Sequence, residues 1–322
     1  MIVTVTGGAG YVGALVTREL LDVGHEVRVL DVVLHDQDDL ARGLVDRGAR
    51  LLQEDVRSAD ARARALDGAD AVVHLAAIVG DPACARDPAL SQEVNVEGTR
   101  ALVEEARKQG VERFLFASTC SNYGRMTDPT VPIDETGELA PVSLYAEQKV
   151  QIEKLLLGLD PSDICATCLR FATVYGAAPR MRFDLTINEF TRDLWADRPL
   201  EVFGEQFWRP YVHVADAARG VARVLAAEPA EVAAEVFNVG HSDENYRKLD
   251  LVELITGHLG RGEVNYVSRD EDPRDYKVSF NKVRDRLGFE PRMRVPDGIA
   301  EISEALDRQA FGDPFDRRYS NI

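Results

Sequence analysis

The feature that most restricts the fold is a run of glycines near the start of the chain. Gly8-x-Gly10-x-x-Gly13 stands between the apolar run Ile2-Val-Thr-Val-Thr6 and a helix-patterned stretch over residues 14–21. Glycines in a strand-to-helix turn let the backbone close tightly and approach a pyrophosphate at the helix N-terminus. Leu15, Leu20 and Leu21 are the positions expected to turn inward. A second strand, residues 25–30, ends at Asp31, about 20 residues beyond the glycines, where a carboxylate accepts from ribose hydroxyls and repels a 2′-phosphate. The turn and the carboxylate together predict a dinucleotide site that takes NAD rather than NADP.

Strand and helix then alternate with short joins. Strands are expected at residues 49–53, 70–75, 111–117 and 164–171, and helices at 88–109, which carries Asn95, and at 143–157. This order predicts an α/β fold, a Rossmann-like doubly wound parallel sheet. Ligands of such sheets sit at the carboxyl ends of the strands, and Gly7, Asp31, Asp55, Ala76, Thr119 and Phe171 all fall at such ends. Beyond residue 175 the pattern loosens. Residues 177–182 read as a loop, 183–196, 215–227 and 249–259 as helices, and 201–203, 211–214 and 235–239 as strands. The expected division is a dinucleotide-binding domain over residues 1–176, with parts of 205–245 returning to it, and a smaller C-terminal substrate-binding lobe over most of 177–322. The tail from Asp313 is polar and expected at the surface.

Composition narrows the partners. Of 322 residues, 38 are Lys or Arg and 55 Asp or Glu, a formal net charge of −17. That argues against nucleic acid or an anionic membrane as a partner. No apolar run reaches the length of about 18 residues that a spanning helix needs, and Met1 leads straight into a strand. A cytoplasmic protein without a leader is therefore expected. The cysteines are Cys84, Cys120, Cys165 and Cys168. On a strand, Cys165 and Cys168 point to opposite faces, so neither a chelating pair nor a disulfide is expected. The six histidines show no metal-ligand spacing, and no metal is expected.

The chemistry is concentrated in Tyr145-Ala-Glu-Gln-Lys149, which follows the strand-like run ending in Ser118-Thr119-Cys120. Residues four apart on a helix share a face. An ammonium beside a phenol favours the phenolate, which makes tyrosine a usable base near neutral pH.

These motifs together resemble the extended short-chain dehydrogenases/reductases, in particular the NAD-dependent nucleotide-sugar epimerases and dehydratases. The resemblance rests on Thr6 to Gly13, Asp31, Asp55-Val56, His74-Leu-Ala-Ala77, Asn95 to Thr99, Ser118-Thr119 with Tyr123-Gly124, Tyr145 to Lys149, Leu169 to Gly176, and Arg209 to Asp216. It implies that Thr119 bonds the reacting hydroxyl, Tyr145 is the base, and Lys149 activates it while gripping the nicotinamide ribose. It places Gly7, Gly10, Tyr11 and Val12 at the pyrophosphate, Asp55 and Val56 at the adenine, and Leu75, Ala76, Ala77, Asn95 and Phe171 along the cofactor. Arg209 corresponds to the arginine that pairs with a sugar-nucleotide diphosphate, a role suited to a planar fork of donors. Arg274, in Asp272-Pro-Arg-Asp-Tyr276, reads either as a second phosphate contact or as a surface ion pair. Thr173 stands where the family has an asparagine, and with Ser121 it falls among the substrate contacts.

One departure narrows the reaction. The family's 4,6-dehydratases carry an Asp-Glu pair after the catalytic threonine, and here Cys120 and Ser121 hold those places. Cys120 is either an acid/base, if its thiolate is stabilised, or a small filler of the pocket wall. The expectation is a redox-neutral reaction through a transient 4-keto sugar, with epimerisation at C4 first. The alternatives are a reductase of a nucleotide 4-keto sugar that consumes NADH or NADPH, a dehydratase or 3,5-epimerase using Cys120, and a non-catalytic NAD-binding protein. The resemblance also implies a homodimer built on helices 88–109 and 143–157.

Overall fold

The computed structural model describes residues 1–126, 128, 130–267 and 274–321. Asp272 and Pro273 of the Arg274 motif, and Ile322 of the tail, lie outside them. The strands are β1 (Ile2–Thr6), β2 (Glu26–Asp31), β3 (Arg50–Gln53), β4 (Ala71–His74), β5 (Arg113–Thr119), β6 (Cys165–Phe171), β7 (Thr173–Tyr175), β8 (Leu200–Val202), β9 (Trp208–His213), β10 (Glu235–Val239), β11 (Asn245–Arg247) and β12 (Val264–Tyr266). Seven of them form one sheet in the order β10-β6-β5-β4-β1-β2-β3, with every neighbouring pair parallel. The chain winds outward from β1 to β3 and crosses back to β4 on the other side of β1. This is the doubly wound α/β sheet that the alternation predicts, and its crevice opens over the carboxyl ends of β1 and β4.

Apolar residues alternate between the two faces of the sheet, as a period of two requires. Val3, Val5, Val27, Val29, Val73 and Leu115 join a core with Val16 and Leu20 of helix Tyr11–Asp22 and Val221 and Val224 of helix Val214–Leu225. Val72, Phe114 and Phe116 face the other way, onto Ala61 and Ala65, Leu102 and Val103, and Ile152 and Leu156 of helices Ala59–Leu66, Thr99–Lys108 and Leu144–Leu157. Cys165 belongs to the first core and Cys168 to the second, and all four cysteines are free. On the first helix Val16 and Leu20 carry the packing. Leu15 and Leu21, predicted to point inward, are only partly buried at the edge of the core.

The stretch predicted as one helix over residues 88–109 is three segments. Helix Pro88–Gln92 passes into a π-helical turn, Glu93–Gly98, before Thr99–Lys108. The wider turn carries Asn95. Such bulges are inserted more often at functional sites than elsewhere.

The rest of the chain packs a third core around Met181, Phe183, Ile187, Leu194, Leu251, Ile255, Ile299 and Ile302. It includes the small sheets β11-β9-β7 and β12-β8. Residues past 176 also serve the main sheet: β10 closes its edge, and Val278, Phe280, Val283 and Leu287 enter its core. No helix of the described residues is long and apolar enough to cross a membrane.

A buried ion pair ties these parts together under the end of β5. Arg170 of β6 donates Nε and Nη2 to the carboxylate of Glu153 on helix Leu144–Leu157, at 3.0 and 2.7 Å, and the two side chains are 4% and 1% exposed. Ser118 and Asn122 also donate to Glu153. Arg170 Nη1 donates to the hydroxyl of Tyr123, which donates to Asn238 of β10. Removing one partner strands the other charge in the core. Arg170→Met should therefore cost about 3–5 kcal/mol in urea unfolding, and adding Glu153→Leu should restore most of the loss.

Candidate active site

The glycine turn is set by contact with the neighbouring strand end. Gly7 has φ +70°, and a Cβ there would lie 2.7 Å from the backbone nitrogen of Ala76. Only glycine permits that approach. It brings the ends of β1 and β4 together at the floor of a cavity of about 560 Å³.

The cavity runs along the carboxyl ends of the sheet and gathers residues scattered through the sequence. Gly7, Gly10, Tyr11 and Val12 line it at the turn, Asp31 at the end of β2, and Asp55 and Val56 after β3. Leu75, Ala76 and Ala77 line it after β4, Thr119 at the end of β5 and Ser121 just beyond it, Phe171 and Thr173 at β6 and β7, and Tyr145, Lys149 and Arg274 close it. Asp31 is held ready to accept. Its Oδ2 takes the N–H of Ala9 at 2.9 Å and its Oδ1 the N–H of Val33 at 2.8 Å. Val33 adopts φ +55° to do so, an uncommon conformation for a β-branched residue. Burial pushes the Asp31 carboxyl up, and the two N–H groups and Arg180 pull it back. Asp55 is gripped by Arg57 at 2.7 Å, which lowers its pKa.

Asn95 does not line the cavity. It braces the strip after β4 from behind, accepting from the N–H of Ile78 at 2.8 Å and donating to the Ile78 carbonyl at 3.0 Å and to Gln148 at 2.9 Å.

Helix Leu144–Leu157 presents the Tyr-x-x-x-Lys pair. Its N-cap, Ser143, accepts from the N–H of Ala146 and donates to Asp81 at 2.6 Å. Tyr145 thus sits in the first turn beside the end of β5. Thr119 accepts the N–H of Ser121 at 3.1 Å, which leaves its own proton free to be donated. Lys149 points its ammonium at the carbonyl of Ala117, 2.7 Å away, with the ring centroids of Phe116 at 4.6 Å and Tyr145 at 5.7 Å.

Burial raises the Tyr145 phenol above its ordinary value, and the positive charge of Arg182 lowers it. Lys149 is itself brought down to about 8 by burial, because its ammonium is surrounded by ring and backbone and has no carboxylate contact among the described residues.

Of the two readings of Cys120, the structure favours the small filler. Its side chain is 1% exposed and belongs to the main core. Its thiol donates to the carbonyl of Arg170 at 3.3 Å, and burial pushes its pKa well up. Arg209 lies outside the cavity lining. It donates to the carbonyls of Trp208 and Arg274 and lies 5.2 Å from the Tyr276 ring. Arg274 faces the cavity and pairs with Asp81 at 2.8 Å.

Sequence reading missed several lining residues: Asp81, Tyr276, Asn321, and Arg180 and Arg182 of the loop read as structureless. The two arginines two residues apart, just past a strand end, were the only local signal.

A parallel sheet with a glycine turn after β1, a carboxylate ending β2, and Tyr145 and Lys149 over the end of β5 defines a dinucleotide-dependent enzyme. Comparison with known proteins gives the family. Residues 3–240 match the family model for the NAD dependent epimerase/dehydratase family, and the chain belongs to that family, whose cofactor is NAD. It is 29% identical to a UDP-glucose 4-epimerase of Lacticaseibacillus casei over 97% of this chain and 99% of the relative. The fold superposes with a TM-score of 0.86 on the UDP-glucose 4-epimerase of Thermotoga maritima solved with UDP-glucose, at 26% identity, covering 96% of this chain and all of the other. It matches equally, at 0.86 and 27% identity, the dTDP-glucose 4,6-dehydratase of Streptomyces venezuelae solved with NAD, covering 98% and 100%.

Two outcomes check these surroundings. Lys149 has a pKa of about 8 in the folded protein and the ordinary 10.5 when unfolded. Between those values the unfolded chain holds a proton that the folded protein has shed, so the folded state gains as pH rises. Urea unfolding of wild type relative to Lys149→Met should show wild type gaining about 3 kcal/mol across that window. Cys120→Ala should keep most of the turnover while losing about 1 kcal/mol of stability.

Proposed function

We propose that the protein interconverts nucleotide sugars by redox-neutral epimerisation, at C4 in the first instance. The observation that carries this reading is the position of Cys120. Tyr145, Thr119 and Lys149 line the cavity together, but the side chain after Thr119, where a dehydratase carries a carboxylate, is buried in the core. The similarity to UDP-glucose 4-epimerases and to a dTDP-glucose 4,6-dehydratase alike supports nucleotide-sugar chemistry.

Tyr145 takes the proton from the sugar O4, and Thr119 donates to that oxygen and holds it. Bound NAD, held along Gly7, Gly10, Asp31 and Lys149, would supply the hydride acceptor and a positive charge. The family fit rests on the Gly7 approach to Ala76 and on the carboxylate of Asp31 held at the end of β2. Lys149, 5.7 Å from the centre of the Tyr145 ring, keeps its own proton, and its ammonium favours the phenolate that receives the O4 proton. Arg274, on the cavity wall, would exchange Asp81 for a substrate phosphate, with Arg209 bracing its backbone. Ser121 and Thr173 line the same end. The 4-keto sugar must then turn over in the cleft and be reduced on its other face. A division into a dinucleotide-binding part and a substrate lobe, a cytoplasmic location, and a homodimer through the helical segments of residues 88–109 and 143–157 complete the reading.

Incubation with UDP-glucose or UDP-galactose should give the other sugar with no net change in nicotinamide absorbance. Tyr145→Phe should lower turnover by about a hundredfold or more and leave NAD binding intact. Stoichiometric NADH consumption would make the protein a reductase, and release of a dehydrated 4-keto sugar a dehydratase.

A further inference from the structure

The loop between β7 and helix Thr186–Trp195 brings two arginines into the lining of the cavity that the glycine turn also lines. We propose that Arg180 and Arg182, fastened by Asn321 near the chain's end, form an anion site for the diphosphate bridge of the bound dinucleotide. The inference needs only the family's cofactor and stands whatever sugar is the substrate.

Position supports it first. Both arginines line the cavity with Gly10, Tyr11, Asp31 and Asn321. Arg180 acts electrostatically on Asp31, at the adenosine end, and couples to Tyr11 at the turn. Arg182 acts on Tyr11 and on Tyr145, at the nicotinamide end. The pair thus lines the same cavity as the turn and Tyr145 and is within electrostatic reach of both Asp31 and Tyr145.

Chemistry supports it second. Arg180 is only 6% exposed, its Nε is buried with no hydrogen-bond partner among the described residues, and its Nη2 donates to Asn321 Oδ1 at 2.6 Å. An unmade bond from a buried guanidinium is costly. Burial and the neighbouring charge of Arg182 bring Arg180 down to about 10. Asp184 takes up Arg182 through two bonds of 3.0 and 2.7 Å, so the loop keeps one guanidinium underused. A diphosphate supplies both acceptors and charge in the geometry that arginine forks match.

The tail holds this loop in place. The N–H of Asn321 donates to Asp184 at 3.2 Å, and Phe183 donates its N–H to the carbonyl of Tyr319 at 2.8 Å. The Phe183 ring packs edge-on against Phe311 and Tyr319.

The test is titration of the full chain with ADP-ribose and, separately, with adenosine, which lacks the bridge. Arg180→Gln and Arg182→Gln should each weaken ADP-ribose binding about tenfold or more and change adenosine binding by less than about twofold. An equal loss for both ligands, or an unchanged affinity for ADP-ribose, overturns the site. Should a glutamine variant fail to fold, the lysine variants decide. Arg180→Lys and Arg182→Lys keep the charge but lose the fork, so ADP-ribose should weaken severalfold with adenosine unchanged, and unaltered ADP-ribose affinity would again overturn the proposal.

Discussion

The site depends on how closely two stretches of backbone meet where β1 and β4 end. Gly7 lies against the nitrogen of Ala76 at a distance no side chain survives, and neither partner can move because both are main chain. The seam continues in polar bonds. Thr6 Oγ1 accepts from the N–H of Ala76 and bonds His74 Nδ1 at 2.6 Å, while His74 Nε2 bonds Thr99 Oγ1 at 2.8 Å. Burial holds that imidazole neutral, with a pKa of about 3. One ring thus serves two hydroxyls without introducing a buried charge, and it links two strands to helix Thr99–Lys108. Its cost in desolvation is far below that of an ion pair in the same place.

The reacting end is built on the opposite principle. There a full ion pair, Glu153 with Arg170, is buried beneath Thr119. Such a pair contributes little net stability over apolar packing, and its value lies in fixing one arrangement. Tyr145 and Glu153 lie on the same helix. Because Glu153 is held by Arg170, Ser118 and Asn122, the helix cannot rotate or slide relative to β5 without breaking several buried bonds. The distance between the phenol and Thr119 is therefore set by a charge network that touches neither.

Much of this was legible in the residues, for reasons of period and backbone chemistry. A glycine turn can be recognised because the close approach admits no other residue. The strands can be recognised because short apolar runs bounded by turn residues suit few local structures besides a buried strand. Features that depend on side-chain direction were less readable. Cys120 follows Thr119 at the point where β5 passes into the short turn Cys120–Tyr123, and one step along the chain carries a side chain from the cavity to the core. Asn95 lies on a π-helical turn that no periodicity announces. β7, β11 and β12 are three residues each, too short to show a period. Arg180, Arg182 and Asn321 meet through a loop and a tail whose sequences carry no regular pattern.

The distribution of acid groups bears on the reaction. Carboxylates lining the cavity include Asp31, Glu54 and Asp55 at the end of the sheet formed by β2 and β3, and Asp81 beside Tyr145. Asp81 is already engaged, accepting from Ser143 and paired with Arg274. A dehydratase must remove one proton from carbon and deliver another to a leaving hydroxyl, in addition to the proton that the tyrosine handles. An epimerase passing through a 4-keto sugar needs only the tyrosine's proton, taken and returned. With the Cys120 thiol buried and Asp81 accepting from Ser143, the described groups around Thr119 suit the epimerisation proposed above. The wall that would otherwise supply a second base instead offers hydroxyls, from Ser121 and Tyr276, which bond each other at 3.3 Å. Hydroxyls can hold a sugar that has to be released and turned, because they exchange partners at small cost, where a fixed charge would pin it.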